Sequence, residues 1–404
     1  MEKAYVFAVC GPREHVETLA VAIRHLRAFS RLPVLVVTDP GRNEIPIRHD
    51  AVIPVAPPER LSHAQAAIWL KTSLHRILPK GPRYCYLDAD VLAVRKGVDK
   101  VFSAAAEPVA FAPDHCPIEE FGPYAFDCGC LAAMRERTRP LLNMLQELDR
   151  SLGVVTPELV EKKRELDRLV AWYMTVAGRL ALLPGIFGEL ARAAWWRWFL
   201  RLYVKGEFVR DHDRRTWSDA SGRLLSDENL HLALAREVKE KLGFWFDQDT
   251  GAWRDSTGQN IFQCRCGHFM EAAQKTFGVT ITDPKWVQEN GGVFVFDQRG
   301  ARFLETWHRH TMQAFDEPGW TVRDQGTLAV TTWDFHREHA PRLPVEFNFI
   351  ADYHKNELRY RGGLVFDLPG RKRIRPRFIH VYHEFGRKEW KVWQDIEQSI
   401  RRAA

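Results

Sequence analysis

Short apolar runs alternate with helix-length amphipathic stretches through the first hundred residues, and this alternation narrows the fold more than any other feature of the chain. KAYVFAVC from Lys3 is strand-like, HVETLAVAIRHLRAF from His15 has helical apolar spacing, and LPVLVVTD is a buried strand ending in Asp39. AVIPV is a shorter strand, AAIWLKTSLHRIL a helix, and YCYLDADVLAV (Tyr84–Val94) the strand after it. Strands separated by helices of this length predict an α/β protein with a doubly wound sheet flanked by helices. Ligands of such sheets bind at the carboxyl ends of the strands. Asp39, Asp88 and Asp90 all fall at such ends.

Asp88 and Asp90 flank a single alanine. Side chains at i and i+2 share one face of a strand, so both carboxylates can reach one point. Two close carboxylates repel unless a proton or a cation sits between them, and Mg2+ or Mn2+ suits such an oxygen site. The alternative is a strand end whose acids are merely solvated.

The formal charge of +6 suits an anionic small substrate or a membrane surface, and no basic run has nucleic-acid-binding spacing, so no nucleic-acid partner is expected. The odd count of seven cysteines, with a first segment that reads as a strand, predicts a cytoplasmic protein. Peripheral contact with the inner membrane face is open.

From Arg135 to Lys285 the pattern changes, which predicts three parts: residues 1–134, a mainly helical insertion over 135–285 with short β-hairpins, and 286–404. TPELVEKKRELDRLVAWYM opens with Thr156 as N-cap and Pro157 at the first helical position, and the helix can run to Leu183. In LARAAWWRWFLRLYVK, Arg197, Arg201 and Lys205 form a basic stripe beside Trp195, Trp196, Trp198, Phe199 and Leu202. Such a helix lies at a membrane interface or is buried between domains. TWSDASGRLL and AWRDSTGQNIF share tryptophan, aspartate, a hydroxyl residue and glycine in one order, with turn-forming S-G and T-G pairs. C-x-C at Cys128 and Cys130, and QCRCGH with Cys264, Cys266 and His268, carry zinc-type ligands at a tighter spacing than the usual C-x-x-C, so free thiols are the preferred reading.

Five motifs then stand in order: LKTSL at Leu70, LDADVL at Leu87, NGGVFVFD at Asn290, DQGTL at Asp324 and IHVYHEFGRKEW at Ile379. Together they resemble the GT-A glycosyltransferases, most closely glycosyltransferase family 8 and its bacterial relatives, over residues 1 to about 112 and 286 to about 392. The resemblance implies a GT-A type mixed sheet and a hexosyltransferase-like, retaining enzyme. It would move a sugar from a nucleotide-sugar donor to a glycan, glycolipid or protein acceptor, with Mn2+ or Mg2+ as cofactor. Asp88 and Asp90 would hold the ion against the donor diphosphate, and a C-terminal histidine would complete its ligands. His383 stands three residues before Gly386 as the family's closing motif requires, although Lys388 comes one residue early, and His380 ends the apolar run; His383 is preferred, with His380 close behind. Lys388 and Gly386 would meet the diphosphate, and Lys71 the donor phosphate or Asp88. Asn290 and Gly291 would face the donor sugar, and Asp324 and Gln325 the reacting centre. Asp324 reads equally well as a helix N-cap. Val9, Cys10 and Gly11 would begin the nucleoside pocket, with Asp39 near base or ribose. Asp127, in a second strand start of similar pattern, is read as structural.

Two other functions compete. A sugar-nucleotide nucleotidyltransferase would carry a glycine-rich, basic loop after its first strand, where CGPREH has one glycine and one arginine. A non-catalytic scaffold would bind a membrane or partner through the aromatic insertion.

Overall fold

The computed structural model describes all residues except 1, 168–169, 171–207, 212, 248–249, 322, 353–358, 368–372 and 403–404. The basic, tryptophan-rich stretch around Trp195–Lys205 and the extension of the Thr156 helix to Leu183 lie outside the described residues. Among the described residues no helix is long and apolar enough to cross a membrane. The chain divides into two compact units, one formed by Met1–Leu131 with most of the chain from Arg265 onward, the other chiefly by Ala132–Cys264.

The first unit contains β1 (Lys3–Ala8), β2 (Val34–Thr38), β3 (Val52–Pro54), β4 (Arg83–Leu87), β5 (Val91–Ala93) and β6 (Val109–Pro117). The second contributes β7 (Phe208–Asp211), β8 (Thr216–Asp219), β9 (Leu224–Asp227), β10 (Trp245–Asp247) and β11 (Ala252–Arg254). After it come β12 (Val287–Phe296), β13 (Phe349–Ile350), β14 (Arg359–Tyr360), β15 (Phe366–Asp367) and β16 (Phe378–His380).

Six strands form the main sheet in the order β3-β2-β1-β4-β12-β6. β1, β2, β3 and β4 pair in parallel, as helical crossovers require, while β12 runs antiparallel to both β4 and β6. The protein is therefore mixed α/β. The chain winds outward from β1 to β3 and returns to β4 on the other side of β1, so the ends of β1 and β4 flank the point where the order reverses. β12 is buried along nearly its whole length because it is covered on both edges and both faces.

Helix Arg13–Phe29 buries Val16, Leu19, Ala22, Ile23 and Leu26, one face at helical spacing. Helix His63–Thr72 starts at a capping box formed by Ser62 and Gln65. The single helix expected through Leu78 is broken after Thr72, and Leu74–Ile77 is a separate turn. The Thr72 and Ser73 hydroxyls reach His308 Nδ1 at 2.8 and 3.3 Å, drawing the chain aside there. Trp307 of helix Ala301–Asp316 is fully buried against Phe111 and Phe294, and its indole N–H donates to the carbonyl of Asp324 at 3.0 Å. Trp307→Ala would cost about 3–5 kcal/mol and release that anchor.

A second, three-stranded sheet sets the site. β16 pairs antiparallel with β5 and parallel with β13, placing His380 opposite Val91, the residue after Asp90.

The insertion boundary moves from 285 to 264. Helix His268–Phe277 belongs to the first unit, where Phe269, Ala272 and Ala273 pack with Phe121, Trp286 and Trp320. Within the second unit the internal repeat is longer than its sequence signature. Phe208 and Phe244, Trp217 and Trp253, Asp219 and Asp255, Gly222 and Gly258, and Leu225 and Ile261 correspond, each pair 36 residues apart. Asp219 Oδ1 accepts the Ser221 and Arg223 amides at 2.9 and 3.0 Å, and Asp255 Oδ1 accepts those of Thr257 and Gln259 at 3.0 and 3.1 Å. Gly222 and Gly258 take φ of +84° and +82°, which closes both turns alike. The phenylalanine, tryptophan and aliphatic residue of each copy are buried in separate apolar clusters.

Candidate functional site

Asp88 follows the last residue of β4, and its amide donates to the carbonyl of Gly292 on β12 at 2.9 Å. Asp90 lies in the turn into β5, with its carbonyl accepting the Val381 amide at 3.1 Å. The turn, rather than a continuous strand face, brings the two carboxylates together. One carboxylate oxygen of each and one imidazole nitrogen of His380 lie within 4.8 Å of one another. Both aspartates keep about a third of their side-chain surface in solvent (28% and 31%), while His380 is buried. A ligand can reach the acids, and the histidine closes the floor behind them.

The tautomer of His380 follows from a chain of side-chain amides. Desolvation pushes the Asp114 carboxyl up, but hydrogen bonding from His115 outweighs it, so Asp114 is held below the usual range and accepts only. Asn290 Nδ2 donates to it at 3.1 Å, which leaves Asn290 Oδ1 to accept the Gly292 amide and Asn348 Nδ2, both at 2.8 Å. Asn348 Oδ1 therefore accepts Nδ1–H of His380 at 3.0 Å. Neutral His380 then presents the Nε2 lone pair to Asp90 Oδ1, 3.1 Å away, and Nε2 makes no hydrogen bond of acceptable geometry. Two acceptors face each other, which requires a proton or a cation between them. Desolvation lowers the His380 pKa, but Asp90 and Asp88 outweigh it and the net direction is up. For Asp90, desolvation is likewise outweighed, here by His380, and the net direction is down.

Lys71 projects from helix His63–Thr72 to within 3.2 Å of Asp88 and 2.8 Å of Asp324 Oδ2. Desolvation opposes its charge, but Asp324 and Asp88 together raise its pKa, so it is an ammonium. With His380 neutral, three carboxylates (Asp88, Asp90, Asp324) against one ammonium leave two negative charges uncompensated; a proton on His380 would leave one. Asp88 shows this: desolvation, opposed by Lys71 and reinforced by Asp90, holds its carboxyl above the usual range. The donor set of two carboxylates and one imidazole lone pair fits a Mg2+- or Mn2+-type ion in charge and ligand kind.

Asp324 precedes helix Gln325–Asp334 without capping it through its side chain, and the carboxylate turns to Lys71 instead. Asp324 thus holds the N-cap position without the side-chain cap that the N-cap reading implied. Gln325 accepts the Gly291 amide at 2.9 Å and donates to Asp114 at 3.2 Å and to the Glu289 carbonyl. Asn290 is 1% exposed and also reaches the Tyr382 hydroxyl at 3.0 Å. Asn290 and Gln325, expected to face sugar and reacting centre, spend their side chains on holding neighbouring groups because each of their polar atoms is engaged. The paired glycines have distinct roles. A Cβ on Gly292 would stand 2.2 Å from His380 Cε1, whereas one on Gly291 would meet Lys71, Asp324 and Gln325 at 3.3–3.5 Å. Only a backbone without a side chain lets the imidazole lie against β12.

The other expected residues are placed less directly. His383, preferred from its spacing to Gly386, is exposed and is not one of the three convergent ligands; its amide donates to Asp352 at 2.6 Å. The histidine that ends β16 is the one the sheet delivers. Gly386, with φ +77°, and Lys388 lie in the following loop, and the exposed Lys388 ammonium has no ion-pair partner among the described residues. Val9 and Cys10 are buried at the end of β1, and Gly11 has φ +115° with its amide on Asn43 at 3.2 Å. Asp39 accepts the Gly41 amide at 3.0 Å and Arg42 Nε at 3.1 Å, so its carboxylate serves a turn. Asp114, Asn348 and Tyr382 were missed by sequence reasoning. Tyr382 stacks on His380 with centroids 4.2 Å apart, two residues beyond it in a motif already recognised. Asp114 and Asn348 carry no local signal.

No family model matches the chain, and no curated protein is significantly similar to it.

Proposed function

We propose that the protein is a metal-dependent glycosyltransferase of GT-A type that moves a sugar from a nucleotide-sugar donor to a glycan, glycolipid or protein acceptor. The observation that carries this reading is the convergence of Asp88, Asp90 and His380 Nε2 beside the strand-order reversal, where the carboxylates outnumber the Lys71 ammonium. A bound Mn2+ or Mg2+ would neutralise charge developing on the departing diphosphate. Lys71 orients Asp88 and Asp324 and keeps a fixed positive charge beside them. Asn290 and Asn348 hold the His380 tautomer, and Gln325 holds the Gly291 backbone that borders Lys71 and Asp324. Asp324, 15% exposed and paired with Lys71, would meet the reacting sugar or the acceptor hydroxyl.

Calorimetry with Mn2+ and a panel of nucleoside diphosphates tests the reading, followed by hydrolysis of nucleotide sugars. Asp88→Ala with Asp90→Ala should lower metal-dependent nucleotide affinity by more than about 100-fold. Unchanged affinity in that variant, or no metal-dependent nucleotide binding by the unaltered protein, would remove the proposal and favour the scaffold reading.

A further inference from the structure

Outside this site, Cys128, Cys130, Cys266 and His268 bring three sulfurs and one imidazole nitrogen within 4.8 Å of one another. Cys128 Sγ is 3.7 Å from Cys266 Sγ, and Cys130 Sγ is 3.5 Å from His268 Nδ1. An ion held tetrahedrally by metal–sulfur bonds of about 2.3 Å and a metal–nitrogen bond of about 2.0–2.1 Å has S–S edges of about 3.8 Å and S–N edges of about 3.5 Å. The two separations match those edges. Hydrogen bonds between two isolated pairs need no common point for all four atoms, whereas a single ion does.

The backbone is arranged to make this convergence. Gly129, between the first two cysteines, has φ +78°, and its amide is held by Asp127 Oδ1 at 3.3 Å. That left-handed residue turns the chain so that Cys128 and Cys130 can face one centre despite a spacing shorter than C-x-x-C. On the other segment the Cys266 amide donates to the Glu119 carbonyl at 3.0 Å, and His268 opens a helix whose next residue, Phe269, is buried. Both segments belong to the sheet-bearing unit, and in sequence they border the second unit on either side.

We propose that Cys128, Cys130, Cys266 and His268 form a structural zinc site that ties together the two segments bordering the inserted unit. Three thiolates and an imidazole are soft-to-borderline ligands that select zinc over the hard ions suited to Asp88 and Asp90. Four protein ligands fill a tetrahedral shell and leave no position for a substrate, so the ion serves the fold. Binding releases the thiol protons, which makes it weaker in acid. The site stands whether or not the glycosyltransferase reading does.

The test uses the full chain, purified under reducing conditions and dialysed, with metal content by mass spectrometry. One zinc per chain is expected, and replacement with cobalt(II) should give the intense visible bands of a tetrahedral thiolate site. Cys128→Ser with Cys266→Ser should lose the zinc, while Cys264→Ser and Asp88→Asn with Asp90→Asn should keep it. Absence of both zinc and the cobalt bands in the unaltered, freshly reduced protein would overturn the proposal. So would full zinc retention by the double-serine variant, or a Cys128–Cys266 disulfide in protein isolated without reductant. If the double variant does not fold, the cobalt spectrum of the unaltered chain decides.

Discussion

The Asp88–Asp90–His380 group and the Cys128–Cys130–Cys266–His268 group each converge within 4.8 Å, yet their donor sets suit opposite tasks. The first is hard, oxygen-rich and incomplete: three ligands, two of them partly open to solvent, backed by a relay through Asn348, Asn290 and Asp114. The second is soft and offers four ligands, three half-buried and His268 exposed, with support from backbone turns. An incomplete oxygen site can share its ion with a diphosphate and release it, whereas a sulfur site of four ligands holds its ion permanently. The difference teaches that ligand number and the kind of supporting contact separate a proposed working site from a proposed staple more clearly than ligand spacing does.

Substitutions that affect one group and spare the other sharpen this contrast. Among single substitutions the largest effect is expected at His380. His380→Ala should weaken manganese-dependent nucleotide binding by about 100-fold, His383→Ala should leave it unchanged, and zinc content should stay the same in both. Equal losses at the two histidines would break the assignment. A smaller loss, about 10–100-fold, is expected for Asn348→Leu, which frees the His380 tautomer without touching an aspartate. Calorimetric affinity for Mn2+ with nucleoside diphosphate reads it, and unaltered affinity would deny the relay its role. The smallest effect lies on the sulfur side. Gly129→Ala forces a Cβ into a left-handed backbone at about 1–2 kcal/mol, so zinc affinity by chelator competition should fall roughly 5- to 30-fold while manganese affinity holds.

Much of the first unit was legible from pattern. The β1–β4 alternation predicted parallel strands because helical crossovers of that length permit little else. LDADVL was visible as a pair of acids at a strand end, whereas the close approach of His380 to Gly292 was not. The antiparallel β12 was not predictable from its own apolar run, since a buried strand reads the same in either direction. The choice of His380 over His383 was also hidden: two histidines three residues apart differ in where β16 stops, which depends on its pairing with β5 and β13. Asp114 and Asn348 had no signal because lone polar residues acquire their meaning only from distant partners. The convergence of the two C-x-C segments was hidden because local spacing says nothing about segments 138 residues apart in sequence.

What the sequence determined by itself was local and periodic. It contained strands and helices from their apolar spacing, the capping box at Ser62, the turns of the W-x-D repeat, and acidic residues placed at strand ends. The tertiary structure decided everything that depends on long-range pairing: the reversal of strand order beside β1, the arrival of His380 beside Asp90, the turning of Asp324 from helix cap to ion pair with Lys71, and the meeting of two C-x-C segments. The physical reason is range. Backbone propensity and side-chain periodicity act over a few neighbouring residues, whereas charge compensation and ligand geometry act through space between residues that the chain alone keeps far apart.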